Sequence, residues 1–195
     1  MIAAIVPAAG LSSRMGQNKL LMRFDGKSLI ERAVDTLIAS GVEEVVVVLG
    51  HEANLIRRQL EGKQVRLVEN PDYQQGLSTS VRAGVCAVAE GADAIMIYLA
   101  DQPLLQSDEI RRLILAFAEA KRAGKSIVVP FFGNERGNPV ILDRSYREKV
   151  LDIAGDVGCR RIIRSHPEQV FPVQMESDHV IRDVDTPEEW LGVRS

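Results

Sequence analysis

The sequence predicts an α/β fold of three layers, a mainly parallel sheet between two layers of helices. Three observations predict it. Short apolar runs alternate along the chain with segments of helical periodicity. The run at residues 44–49 (EVVVVL) is nearly unbroken and β-branched, as suits a parallel strand covered on both faces. Finally, 195 residues with 46% apolar content suffice for a substantial core. No repeat, low-complexity stretch or linker divides the chain, so residues 1–195 are expected to form one domain.

Composition narrows the function classes. A net charge of −3 argues against bulk nucleic-acid binding, which needs a basic face. No apolar run approaches the roughly 20 residues that span a bilayer. The N-terminus lacks a basic region followed by a long apolar one, so the expected compartment is the cytoplasm. Cys86 and Cys159 stand alone without metal spacing; Cys86 is expected to pack in the core. His51, His166 and His179 show no metal spacing either, and no Ser/His/Asp pattern suggests acyl transfer.

The elements follow in order. Residues 2–6 (IAAIV) read as a buried strand that breaks at Pro7 into a small, polar, glycine-punctuated loop carrying Arg14 and Lys19. Such a loop lets backbone N–H groups approach a phosphate while the cations neutralise it. It is neither a Walker A loop nor a G-x-G-x-x-G turn, because Gly16 is followed by Gln17-Asn18. Residues 28–39 put Leu29, Ile30, Ala33, Val34, Leu37 and Ile38 on one helical face, and Gly41 ends that helix. A short helix at 52–60 and a strand at 65–68 complete a βαβαβ run with right-handed crossovers. Pro71-Asp72 and Gln75-Gly76 then punctuate a loop, after which Ser78 or Thr79 is expected to cap a helix.

Residues 94–101 (AIMIYLAD) read as an apolar strand ending in Asp101. Ligands of open α/β sheets gather at the carboxyl ends of strands, and Mg²⁺ is held by one or two carboxylates plus substrate phosphates. Residues 107–122 form an amphipathic helix with Ser107 as its expected cap. Residues 127–142 hold two strands about a polar turn, a hairpin or an edge excursion, and residues 155–160 open another helix. Thr186, Pro187 and Glu189 fit a capping box with proline at the first helical position. Asp183 and Asp185 are left over; the period of a strand would put both on one face, where they would repel unless a cation compensated.

Several of these segments carry a family resemblance. AAGLSSRMGQNKLL at residues 8–21 resembles the signature loop of the MobA-like nucleotidyltransferases, (A/G)-G-x-x-x-R-M-G-x-x-K. QGLSTS at 75–80, DQP at 101–103, GNP at 137–139, GDVGCR at 155–160 and DVDTP at 183–187 resemble further segments of that family. The resemblance implies a Rossmann-like nucleotidyltransferase fold and transfer of a nucleoside monophosphate from an NTP, with release of pyrophosphate. It implies catalytic roles for Arg14, Lys19 and Asp101, and nucleotide contacts from Ala8, Ala9, Gly10, Arg14, Lys19, Gly76, Ser80 and Asp101. It puts Mg²⁺ on Asp101 and Asp185, with Asp183 the lesser candidate, and the acceptor against Gly137, Asn138 and Asp156.

Within the family, AAG in place of AGG, the GLSTSVRAG segment and the intact DVDTP are most similar to the molybdenum cofactor cytidylyltransferases. That implies CTP as donor, a molybdopterin-type cofactor as acceptor, and a client molybdoenzyme as further partner. The alternatives are a guanylyltransferase, transfer to a sugar phosphate, or a nucleotide-binding chaperone without catalysis. Arg14, Lys19, Asp101 and Asp185 together disfavour the last, since a binder needs no metal pair.

Overall fold

The computed structural model describes residues 1–152 and 159–194. Its sheet is built from β1 (Ile2–Ala8), β4 (Glu44–Leu49), β5 (Arg66–Glu69), β6 (Ala94–Ile97), β7 (Ile127–Phe132), β9 (Val140–Asp143) and β10 (Val170–Gln174), in the order β10-β7-β9-β6-β1-β4-β5. A two-residue strand, β8 (Glu135–Arg136), folds back on the end of β7, and β2 (Arg23–Phe24) with β3 (Lys27–Ser28) forms a separate hairpin. Every ladder of the main path is parallel except those of β9, which runs against both β6 and β7. The expected mainly parallel sheet is present.

Helices cover both faces. On one side, α1 (Leu29–Ser40), α2 (Ala53–Gln59), α4 (Ser107–Arg122) and α7 (Pro187–Arg194) pack over Ala4, Val6 and Ala8 of β1. On the other, α3 (Leu77–Ala87), α5 (Arg147–Leu151) and α6 (Arg160–Ser165) pack over Ala3 and Ile5. The alternation of side chains along one strand is what feeds two cores from a single apolar run. Among the described residues, no helix is long and apolar enough to cross a membrane.

Local chemistry fixes the element ends. Ser28 caps α1 by accepting from Glu31 N–H, and the Glu31 carboxylate accepts from Ser28 N–H in return. Gly41, at φ 87°, closes the helix in the left-handed region that favours glycine. Pro7 is tolerated inside β1 because it lies past the last β6 partner, Ile5 opposite Ile97, where that flank carries no ladder.

Four expectations shift. The α3 helix begins at Leu77 behind Gly76, so Ser78 and Thr79 sit inside its first turn rather than capping it. The α4 cap is Gln106, whose N–H donates to the Glu109 carboxylate, one residue before Ser107. The segment around 140 is a hairpin partner of β7 and not an edge excursion: its apolar Val140, Ile141 and Leu142 insert β9 between β6 and β7, covered on both faces. Cys86 is exposed, because α3 turns Val81, Gly84 and Val85 to the sheet instead, whereas Cys159 is buried and its thiol pKa is pushed up to about 12 by that burial. Asp156 and the opening of the helix expected at 155–160 lie outside the described residues.

Helix α3 approaches the sheet closely at Gly84, where an added Cβ would meet Ile5 Cγ2 at 2.3 Å. Gly84→Ala gains about 1 kcal/mol of helix propensity but forces overpacking of about 1–3 kcal/mol against a stiff β-branched neighbour. We expect a net loss of stability in urea unfolding; a stabilised variant would show that α3 can lift off β1 freely.

Candidate active site

The carboxyl ends of β1, β4 and β6 open into a cleft of about 580 Å³. Its walls come from the loop after β1 (Ala9, Gly10, Leu11, Ser12, Lys19), from the segment entering α3 (Tyr73 to Leu77, and Ser80), and from Leu99, Ala100, Asp101, Asp183 and Asp185. Parallel strands all end on this edge, so the sheet delivers these segments to one place.

The loop after β1 forms no helix. Ser12 (φ 49°) and Gly16 (φ 68°) turn it, Ser12 O accepts from Met15 N–H at 2.9 Å, and Ser12 Oγ accepts from Lys19 N–H at 3.2 Å. Asn18 Oδ1 caps the short 3-10 turn Lys19–Leu21 through Leu20 N–H. The N–H groups of Gly10, Leu11, Ser13 and Arg14 find no acceptor among the described residues, which leaves them free for an anion.

On the opposite wall, Gly76 (φ 108°, ψ 170°) holds a backbone conformation open essentially to glycine alone. Asn70 Nδ2 donates to Thr79 Oγ1 at 2.9 Å and to Ser80 Oγ at 3.0 Å, and Asn70 Oδ1 accepts from Asp72 N–H. The buried Asn70 therefore braces the whole loop against α3, whose positive dipole end faces the cleft.

Two hydrogen bonds, one between backbones and one from a side-chain amide, bring the acidic residues together. Val184 N–H donates to Asp101 O at 2.9 Å, and buried Gln102 donates through Nε2 to Val180 O at 2.8 Å. Residues 182–185 are not a ladder strand. Val184 is instead fully buried and so turns its neighbours Asp183 and Asp185 outward into the cleft. Glu189 of the α7 capping box accepts from both Asp185 N–H and Thr186 N–H, fixing where Asp185 sits.

Lys19 lies between the two carboxylates. Its Nζ is 2.6 Å from Asp101 Oδ2 and 2.6 Å from Asp185 Oδ1, while Arg14 Nη2 reaches Asp185 Oδ2 at 2.6 Å. The charged residues expected from the loop and from both acidic segments thus meet at one point. Burial alone would lower the Lys19 pKa, but Asp101 and Asp185 outweigh it and hold the pKa above the usual value. For Asp185, Lys19 and Arg14 overcome burial and hold the carboxyl below the usual range. Asp183 goes the other way: burial and the neighbouring Asp101 and Asp185 charges raise its pKa.

The acidic pair fits a divalent cation. Asp101 Oδ1 is buried with no hydrogen-bond partner in the structure, an oxygen left available as a ligand. Among the described residues, no cluster of three or more acidic, histidine or cysteine side chains is poised to hold a metal. Two carboxylates completed by phosphate oxygens is the way Mg²⁺ is usually held.

Residues 4–170 match the family model described as the MobA-like NTP transferase domain. The chain belongs to that family. It is 31% identical to nicotine blue oxidoreductase of Paenarthrobacter nicotinovorans, over 96% of this chain and 94% of that one. It is 25% identical to molybdenum cofactor cytidylyltransferase of Escherichia coli, over 99% of this chain and 95% of that one. Among solved structures it shares the fold of Rv0371c from Mycobacterium tuberculosis in complex with manganese, with a TM-score of 0.80 and 24% identity, over 99% of this chain and 97% of that one.

Not every residue singled out in this MobA-like chain reaches the cleft. Ala9, Gly10, Lys19, Gly76, Ser80, Asp101 and Asp185 line it. Ala8 does not: as the last even-numbered side chain of β1 it points into the core under α1. Gly137 packs directly on the turn at Val180, where a Cβ would meet Val180 O at 2.5 Å, so its missing side chain is explained by packing. Asn138 opens on a different groove, with Arg136. Sequence reasoning missed Tyr73, which packs over Gly50 just after β4, where an added Cβ would strike both Ala9 and Tyr73 within 2.8 Å. The glycine directly after EVVVVL was the signal for it.

Lys19→Ala removes the only positive group lying between Asp101 and Asp185 among the described residues. We expect a loss of about 2–3 kcal/mol at pH 7, below the ~3–5 kcal/mol of a fully buried pair. Added Mg²⁺ or Mn²⁺ should restore more thermal stability to this variant than to wild type. Equal metal effects on both proteins would mean that the two aspartates do not bind the cation together.

Proposed function

We propose that this chain transfers CMP from CTP to the phosphate of a molybdopterin-type cofactor carrying molybdenum, forming the cytosine dinucleotide and releasing pyrophosphate. The observation that carries it is the convergence of Lys19 and Arg14 with Asp101 and Asp185 at the mouth of the phosphate loop. The family membership supports nucleotidyl transfer. The resemblance to the cytidylyltransferase of Escherichia coli over nearly the whole of both chains supports the choice of donor and acceptor. The Paenarthrobacter nicotinovorans relative carries an oxidoreductase name, so identity alone does not choose the reaction and the chemistry of the cleft must.

Nucleotidyl transfer asks for positioning and charge more than covalent help. An acceptor phosphate oxygen attacks the α-phosphorus in line; the new P–O bond forms as the α–β bridging bond breaks, and the electron pair leaves with pyrophosphate. A phosphate monoester is already largely dianionic at neutral pH, since its second pKa is about 6, so no strong base is needed. The free N–H groups after β1 receive the triphosphate, and Lys19 and Arg14 move from their carboxylates to its oxygens. Tyr73 and the rigid turn at Gly76 enclose the base, with the Ala9 methyl narrowing that wall against a purine. Asp101 and Asp185, freed of Lys19, would hold Mg²⁺, which supplies charge neutralisation and alignment of the phosphates. The manganese complex of Rv0371c supports a divalent ion on this fold.

Pyrophosphate release from purified protein with Mg²⁺ and the molybdenum cofactor, comparing CTP, GTP, ATP and UTP, tests the reading. We expect turnover with CTP. Preference for GTP would keep the mechanism and overturn the base assignment, while binding without turnover would point to a different acceptor or to a binding protein. Asp101→Ala should reduce kcat by about 10²–10³ or more while leaving the circular dichroism spectrum intact, and Lys19→Ala should raise the KM for the nucleotide. Undiminished turnover in the Asp101 variant rules out its metal role.

A further inference from the structure

A second groove, of about 570 Å³, runs between α6 and the β7–β8 hairpin. Its lining divides into an apolar floor, Phe131, Ile163, Pro167 and Val170, and a polar rim of Arg136, Asn138, Arg160 and Arg164. None of it overlaps the nucleotide cleft. The three guanidinium groups form no hydrogen bond or ion pair with any described residue, and the side-chain amide of Asn138 is also without a partner among them.

This arrangement is unfavourable as it stands. Arg160 and Arg164 are four apart on α6, a spacing that sets like charges side by side. Arg136 is half-buried across from them, and among the described residues no carboxylate lines the groove. Burial, followed by the charges of Arg160 and Arg164, lowers the Arg136 pKa. Several other arginines of this net acidic chain are tied to carboxylates, as Arg57 is to Glu69 and Arg182 to Asp178. Guanidinium groups have the fork geometry that matches oxyanions, and a concave groove of this volume has the dimensions of a small-molecule site. The apolar floor asks for more than a bare ion, namely a flat body attached to the anion.

The groove also connects to the catalytic edge. Val180 O accepts from Gln102 Nε2, next to Asp101, and from Asn138 N–H, at the groove rim. We propose that this groove is the acceptor's second subsite: it holds an anionic group of the acceptor remote from the attacking phosphate, with Arg136, Arg160 and Arg164 as ligands and the acceptor's ring system on Phe131 and Ile163. The acceptor assignment rests on the nucleotidyl-transfer reading; the oxyanion binding does not.

The experiment therefore has two arms. In the first, sulfate is titrated into the Lys19→Ala protein, whose nucleotide cleft has lost a main cation, and thermal unfolding is followed. We expect saturable stabilisation that disappears when Arg136→Ala and Arg164→Ala are added; stabilisation unchanged by those substitutions overturns the proposal. Arg164→Ala alone, on an exposed position, covers the case in which the combined variant does not fold. In the second arm, Arg136→Ala in the otherwise wild-type chain should raise the acceptor KM about tenfold with the KM for CTP unchanged, and Arg136→Lys should restore only part of it. Lost sulfate binding with an unchanged acceptor KM means the groove serves a free oxyanion, and overturns the acceptor assignment. If no nucleotide reacts at all, the sulfate arm still decides whether the groove binds an oxyanion.

Discussion

Two carboxylates facing one cleft need positive charge between them, and much of the structure around Asp101 and Asp185 follows from that requirement. Lys19 meets it here, with Arg14 adding a second contact to Asp185. In the proposed reaction a triphosphate would compete for Lys19 and Arg14, and a divalent cation for the aspartates, so that each would remove the other's rival. Asp183, raised by its two acidic neighbours, marks how little further negative charge this place tolerates.

Holding such a pair together requires a backbone that does not yield. The sheet ends β1 and β6 side by side, and Val184 N–H ties the chain before α7 to the carbonyl of Asp101 itself. The buried Val184 side chain fixes which way its two aspartates face. The α7 capping box anchors Asp185 from the other side through Glu189. Each contact is ordinary, but together they remove the freedom by which the carboxylates would otherwise separate.

The groove at Arg136 presents the same problem with the sign reversed. Three guanidinium groups gather with no carboxylate among the described residues lining the groove, on a chain whose net charge is −3. One carbonyl, Val180 O, is shared by the acidic edge and the basic groove.

The sequence by itself determined the alternation of elements, the glycine-punctuated loop with Arg14 and Lys19, Asp101 beyond an apolar strand that in fact ends at Ile97, and the capping box beside Asp185. These are local signals, set by periodicity and by side chains bonding to a nearby backbone. It misplaced the start of α3 because Gly76 ends the loop by its backbone conformation, where serine and threonine offered the more obvious cap. It left residues 127–142 open between a hairpin and an edge excursion because strand order is decided by long-range pairing, which leaves no mark in a short apolar run. Only the tertiary structure decided that Lys19 stands between Asp101 and Asp185, and that Arg136 faces Arg160 and Arg164 rather than the cleft. Charges that interact across 82 or 166 residues of chain meet through packing, and packing is a property of the whole fold.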